Sequence, residues 1–413
     1  MYKQKNKPSG IIILLSYIPF LDLVAGQFYT IFGLDSLPQI FHGLLLIFFI
    51  FLILLIKKRK AMPLFIGNTV NISLLLLSYM VIVAIFSIAA REHSISNFRS
   101  LLQVAYWLFG WWTMSLYISS DDDCRCLLNG LCVAAIYGGV SVIVSVFLGT
   151  SKYDDVISGT GGMATAKSLG GILGSGAILC LWHLRNRIFL VRFGSIIICL
   201  VGLLFTFQRA GQIAVLVASL WLFVWNSIMN KSSKKSKLIY EYTIIILVSS
   251  ILFIFTLGIQ MFTSRWDDFS RDDPNKYGSG RYGFWSASIN HYLNEPWDDI
   301  TFGIGYEGVK DLMEKEFGTR LHTHSDLTDI LLMFGFIGFC MWIIFLVSLY
   351  RSIKRYKKMD DTYAICMSIF IIFTIQSCLT GQIYGPHIMF YYMITLTCIL
   401  FILQQKVDSK YNE

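Results

Sequence analysis

Residues 43–56 read Gly-Leu-Leu-Leu-Ile-Phe-Phe-Ile-Phe-Leu-Ile-Leu-Leu-Ile, and the run at 243–262 likewise has no polar face to offer water. Such runs recur along the whole chain of 413 residues, of which 55 % are apolar and 15 % charged. Their natural solvent is lipid, and a soluble core of this length would not need so many of them. The expected fold is therefore all-α and polytopic, with about twelve transmembrane helices. They are placed near 11–33, 38–56, 70–90, 99–119, 127–148, 169–184, 188–207, 211–229, 238–262, 325–350, 363–381 and 388–404. The first follows Lys3, Lys5 and Lys7 but carries Pro19 and Asp22 and lacks a small-residue cleavage site, so it reads as a retained helix.

The net charge of +8 gives no argument for nucleic acid, because the basic residues cluster in short stretches between apolar runs. With the N-terminus inside, Lys57 to Lys60, Arg185 with Arg187, Lys231 to Lys237 and Arg351 to Lys358 all fall on the cytoplasmic side. Only 120–125 is an acidic exception, and acidic residues count little in that rule. Both termini are then cytoplasmic, and one large segment lies outside. The expected organisation is helices one to nine over 1–262, an outer loop over 263–324, and the last three helices with a cytoplasmic tail over 325–413. Within the loop, 281–293 and 307–317 have amphipathic helical spacing. The outer loop has no cysteine, and six of the nine cysteines lie inside apolar runs, which favours free thiols.

The outer side lacks dense basic clusters, so isolated cations there carry information. Arg209 stands at a helix junction in Phe-Gln-Arg-Ala-Gly, and Arg99 opens another helix at the same face. An arginine at membrane depth faces a cavity or a partner, or else snorkels to the headgroups. Arg281, set among glycines in the loop, offers a bidentate grip on phosphate oxygens, against the plainer reading of a solvated side chain. Arg320 has similar standing. It precedes Leu-His322-Thr-His324-Ser-Asp326, where a histidine suits a general base for a hydroxyl proton, or is simply interfacial. Asp326 or Ser325 offers a cap for the helix that follows. The His-x-His spacing lacks a third metal ligand, and Cys124-Arg125-Cys126 is a weak metal signal. The pairs Asp267–Asp268 and Asp272–Asp273 read as solvated rather than cation-binding. Asp22 needs a polar neighbour that the sequence does not name.

Taken in order, these pieces resemble a known superfamily. Gln208-Arg209-Ala-Gly is followed by Gly280-Arg281 and Trp285, then Pro296 and Gly303-Ile-Gly305-Tyr306. The run from His324 through Gly335 to Gly338 closes the series. The arrangement resembles the O-antigen ligase and Wzy-type polymerase superfamily. Gln208 stands where serine is common there, Ala210 where glycine is common, and Ser325 where asparagine is common.

The resemblance implies a GT-C-like membrane glycosyltransferase with a donor linked to polyprenyl (undecaprenyl) diphosphate. It implies diphosphate binding by Arg209 and Arg281, with Arg99 and Arg320 as further candidates. His324, with His322 beside it, is implied as the catalytic base. The transfer is expected to be inverting and independent of metal or other cofactor. The implied partners are the lipid-linked glycan, membrane lipid, a chain-length regulator and a flippase. A polymerase of O-antigen or capsule repeat units is the favoured reading. An O-antigen ligase transferring glycan to a lipid A core comes second. A flippase or transporter is the alternative of another class, although the chain shows no repeated halves.

Overall fold

Within a bilayer a backbone N–H or C=O without a protein partner is left bare, so each apolar run closes its own hydrogen bonds as a helix. The computed structural model describes residues 8–32, 37–56, 64–91, 97–149, 166–229, 241, 243–252, 281–318, 320–357 and 361–411, and among them there is no strand. The order is α1 (Gly10–Ser16), α2 (Ile18–Phe32), α3 (Leu37–Leu55), α4 (Leu64–Arg91), α5 (Asn97–Tyr117), α6 (Asp121–Phe147), α7 (Ala166–His183), α8 (Phe189–Phe205) and α9 (Arg209–Met229). A short apolar helix, Thr243–Leu252, follows. Then come α10 (Arg281–Asn294), α11 (Trp297–Phe302), α12 (Gly305–Phe317), α13 (Asp326–Lys354), α14 (Asp361–Thr380) and α15 (Pro386–Tyr411). Among the described residues, six helical stretches are long and apolar enough to cross a membrane, the first of them, Gly10–Phe28, running through α1 and α2. The chain is an all-α integral membrane protein. The stretches Lys57–Lys60, 150–165 and Lys231–Lys237, both aspartate pairs of 263–280, and the side chain of Arg99 lie outside the described residues.

Each expected span contains a helix, but local chemistry moves several boundaries. The first span is broken at Tyr17. Pro19 has no N–H to give Leu15, and the Tyr17 amide turns to the carbonyls of Leu14 and Leu15 instead. The acidic stretch expected as a loop is the first turn of α6. Ser120 Oγ accepts the Asp123 amide at 3.1 Å, while Asp123 Oδ2 accepts the Ser119 amide at 3.0 Å. Three aspartates in that turn also complement the positive end of the helix. The short helix α11, started by Pro296, has no counterpart in the expected elements.

The bundle is built around α15. Of its apolar window 94 % is buried, and α14 follows at 72 %, against 39–44 % for the other four long spans. Helices α6 and α8 cross closely because Gly139 and Gly202 meet there, and a Cβ on Gly202 would lie 2.8 Å from Gly139 Cα. Asp22, buried in α2, finds its partners on three other helices. His42 Nε2 lies 2.8 Å from Oδ1, the Tyr106 hydroxyl donates to Oδ2 at 3.1 Å, and His387 of α15 completes the group. A charge that would cost several kcal/mol bare thus ties α2, α3, α5 and α15 together.

The long helix α13 is broken inside its span. Gly335 has φ 63° and ψ −166°. The freed Leu332 carbonyl accepts the Ile304 amide at 2.8 Å, and the Phe334 carbonyl accepts the Tyr79 hydroxyl at 3.0 Å. Residues 301–304 therefore seat directly on the break. This positions α11 and α12 against one end of the bundle.

Candidate active site

The C-terminal end of α14 is where the candidate residues are assembled. Gln376, Ser377 and Thr380 place polar groups in an otherwise apolar helix, and all three are buried. Gln376 Oε1 accepts Gln208 Nε2 at 3.1 Å and the Thr380 hydroxyl at 3.0 Å. Gln208 precedes Arg209, the first residue of α9, so this bond fixes the helix junction that carries the arginine. Phe207, just before, has a positive φ of 50°, which turns the chain sharply between α8 and α9. Arg209 is half-buried at that turn.

Arg281 arrives from the other side. It opens α10 and donates from Nη1 to the Leu379 carbonyl at 2.9 Å. Carbonyls at a helix C-terminus lack intrahelical donors and attract cations, so the guanidinium is held at the end of α14.

The histidine loop is pinned at Thr323. Its amide donates to Asp329 Oδ1 at 2.9 Å, its hydroxyl donates to the same oxygen at 2.8 Å, and its carbonyl accepts Trp285 Nε1 at 3.0 Å. The two flanking imidazoles have different surroundings. His322 lies between Tyr306, with centroids 4.7 Å apart, and Tyr384, stacked at 5.7 Å and 17°. Burial pushes the Tyr384 phenol well up, so it stays a neutral donor and reaches Met333 Sδ at 3.0 Å. His324 instead sits edge-on to Phe284, with centroids 6.0 Å apart. It has φ 63°, a left-handed conformation that costs a non-glycine residue roughly 1–3 kcal/mol and is held only where the surroundings over-determine it.

The caps expected for α13 are redistributed. Ser325 occupies the N-cap position without a side-chain cap bond, and Asp329 reaches back to Thr323 instead. Asp326 is buried, and its carboxylate gathers the loop between α14 and α15. Oδ1 accepts the amides of Gln382 at 2.6 Å and Ile383 at 2.9 Å, while Oδ2 accepts the Ser377 hydroxyl at 2.6 Å. Asp326 thus joins the histidine loop to the same helix end that holds Arg281 and Gln208.

Arg320 is placed against α12. It is half exposed and turned to Glu307 at 2.6 Å, Asp311 at 3.0 Å and Glu314 at 3.2 Å, all on α12. The bond to Glu307, with the neighbouring carboxylates, raises its pKa further and neutralises its charge locally. These pairs brace α12. Arg99 lies in the first turn of α5.

Gln376, Ser377, Gln382 and Asp329 did not figure among the expected site residues. One signal was available: Gln376, Ser377 and Thr380 recur at helical spacing on an apolar span, where polar side chains are expensive and need partners.

No curated protein matches the chain. A family model described as O-Antigen ligase matches residues 194–343, from α8 into α13. That segment contains Arg209, Arg281, Arg320, His322 and His324. The chain therefore carries, over residues 194–343, a domain that matches the O-antigen ligase family and is consistent with the O-antigen ligase and Wzy superfamily.

Proposed function

We propose that the protein is a membrane glycosyltransferase that joins polyprenyl-diphosphate-linked oligosaccharide repeat units. The observation that carries this reading is the gathering of two cationic helix starts and the histidine loop on one helix end. Arg281 bonds Leu379, Gln208 beside Arg209 bonds Gln376, and Asp326 two residues past His324 bonds 382–383. An acceptor hydroxyl attacks the anomeric carbon of the donor sugar. The new C–O bond forms as the bond to the diphosphate oxygen breaks, and the hydroxyl proton passes to His324. Arg209 and Arg281 neutralise the charge that grows on the departing diphosphate. With that charge met by guanidinium groups the step calls for no metal, and attack from the face opposite the leaving group inverts the anomeric centre.

The site lies on the outer face of the cytoplasmic membrane in this reading, with 1–262 and 325–413 as the membrane parts and 263–324 as the outer loop. Supporting it, the described basic residues Arg185, Arg187, Arg351 and Arg355 stand at helix ends remote from His324, as cytoplasmic ends would.

The ligase is the second reading, and the matching family supports both. It uses the same site and differs in the acceptor, a core lipid rather than a second repeat unit. Size profiles of lipid-linked and surface glycans in a deletion strain separate the two. Complementation uses wild type or His324→Ala. Arrest at single repeats in both the deletion and the variant supports the polymerase. Long glycans retained on the polyprenyl carrier support the ligase. A wild-type profile from His324→Ala removes His324 from the chemistry. Transfer by the purified protein in detergent, where transport is impossible, excludes a flippase.

A further inference from the structure

A groove of about 660 Å³ runs between α4 and α13, far from the histidine loop. Arg351 in its wall lies twenty-five residues along α13 from Asp326, roughly 35–40 Å at the helical rise. One part of the groove is apolar, walled by Leu75, Ile344 and Val347, which are 63 %, 52 % and 40 % exposed. In a membrane that exposure faces lipid tails. The other end is polar and cationic: Asn68 and Asn71 line it from α4, Arg351 and Arg355 from α13. A bond of 2.9 Å between the hydroxyls of Thr69 and Ser348 closes the back and holds the two helices at this separation.

The charge pattern selects an occupant. Arg351 and Arg355 are four residues apart on one helix face, where like charges repel. Neither has an ion-pair partner among the described residues, and no acidic side chain lines the groove. A bound anion removes that repulsion. The apolar wall begins one turn away and continues toward the middle of the span, so the anion must carry a hydrocarbon chain that leaves in that direction.

We infer that this groove binds one anionic glycerophospholipid, its phosphate between Arg351 and Arg355, its glycerol against Asn68 and Asn71, and an acyl chain along Leu75 and Ile344. Guanidinium groups grip phosphate oxygens through paired N–H donors, and the asparagine amides supply donors to the ester oxygens. The lipid sits at the end of the molecule opposite the proposed active site, so the assignment is independent of which glycan reaction the protein performs.

The test is native mass spectrometry of the full chain released from nanodiscs, with phosphatidylglycerol or phosphatidylcholine of identical acyl chains as probe. Wild type is expected to retain one phosphatidylglycerol tightly and to prefer it over phosphatidylcholine at least tenfold. The double variant Arg351→Gln/Arg355→Gln loses that preference at least fivefold, whereas Arg185→Gln/Arg187→Gln keeps it despite an equal loss of charge. Ile344→Trp fills the apolar end with both arginines intact and lowers retention, which provides a second readout if the double variant is not recovered folded. Equal retention of both lipids by wild type, equal losses in the two double variants, or full retention in Ile344→Trp would each overturn the assignment.

Discussion

The amide of Ile304 donates to the carbonyl of Leu332 at 2.8 Å, across the break in α13. In an unbroken helix that carbonyl would accept the Phe336 amide. The interruption at Gly335 exports it to the connection between α11 and α12, and a membrane-spanning helix can be broken only where something else satisfies the freed groups. The break and the docked segment are thus one device. It sets where α12 lies, and with it Tyr306 beside His322.

Replacing Gly335 by alanine should undo this device. Its φ and ψ belong to a region essentially reserved for glycine, and a Cβ would come 2.3 Å from the Thr301 carbonyl oxygen. The strain alone is about 1–3 kcal/mol, before the clash is relieved. Gly335→Ala is therefore expected to lower the thermal midpoint in detergent clearly. Gly194→Ala, in α8 with open space around it, should be neutral or stabilising by up to about 1 kcal/mol. Equal midpoints for the two variants would refute this account.

Asp326→Asn tests the joint between the histidine loop and α14. Two amides and a hydroxyl all donate to this carboxylate. An asparagine of the same size offers one acceptor oxygen and brings an NH2 group that faces donors. The expected loss is about 2–4 kcal/mol of stability, as when one partner of a buried charged network is removed. Hydrogen exchange at Gln382 and Ile383 should rise in the variant. Protected amides there would show that the carboxylate does not hold the loop.

Much of this fold was legible because lipid leaves the backbone one solution, and apolar length alone places helices such as α3 and α15. The pairing of Asp22 with His42, Tyr106 and His387 was not, since these residues lie on four helices whose adjacency no local pattern encodes. The break at Gly335 hides for the same reason. A glycine in an apolar run reads as helix until the segment that donates to the freed Leu332 carbonyl is known. At the site, the charged and aromatic residues stood out in the sequence. The glutamine and serine of α14 that hold them did not, because their partners, Gln208 and Asp326, lie 168 and 51 residues away in the chain.

Arg281 and Arg320 should separate cleanly. Arg281→Ala removes the guanidinium fixed at the end of α14, and loss of one charge-stabilising donor costs on the order of 10²–10³ in turnover. Arg320→Ala breaks two exposed ion pairs, to Asp311 and Glu314, worth about 0–1 kcal/mol each, and removes one partner of the buried Glu307, which keeps Lys310, so its main effect should be a drop in stability with turnover within a few-fold of wild type. Transfer assays on purified protein at saturating lipid-linked donor check both. A severe turnover defect in Arg320→Ala with an intact fold would return that residue to the donor site.

His322 and His324 are the closest pair to tell apart, two residues apart and both aromatic in their contacts. His322 is sandwiched against Tyr306 and Tyr384, a packing role that a phenyl ring can fill. His324 is held in a strained backbone conformation beside Phe284, and strain of this kind concentrates where geometry serves chemistry. His322→Phe is therefore expected to keep turnover within a few-fold of wild type. His324→Ala should lose the roughly 10²–10⁴-fold contribution of a positioned general base. His324→Gly relieves the positive φ without restoring an imidazole, so it should be at least as stable as His324→Ala and equally inactive. Activity recovered in His324→Gly on adding free imidazole would identify the missing group as the base. If His322→Phe proves inactive while His324→Ala works, the catalytic role belongs to the other ring.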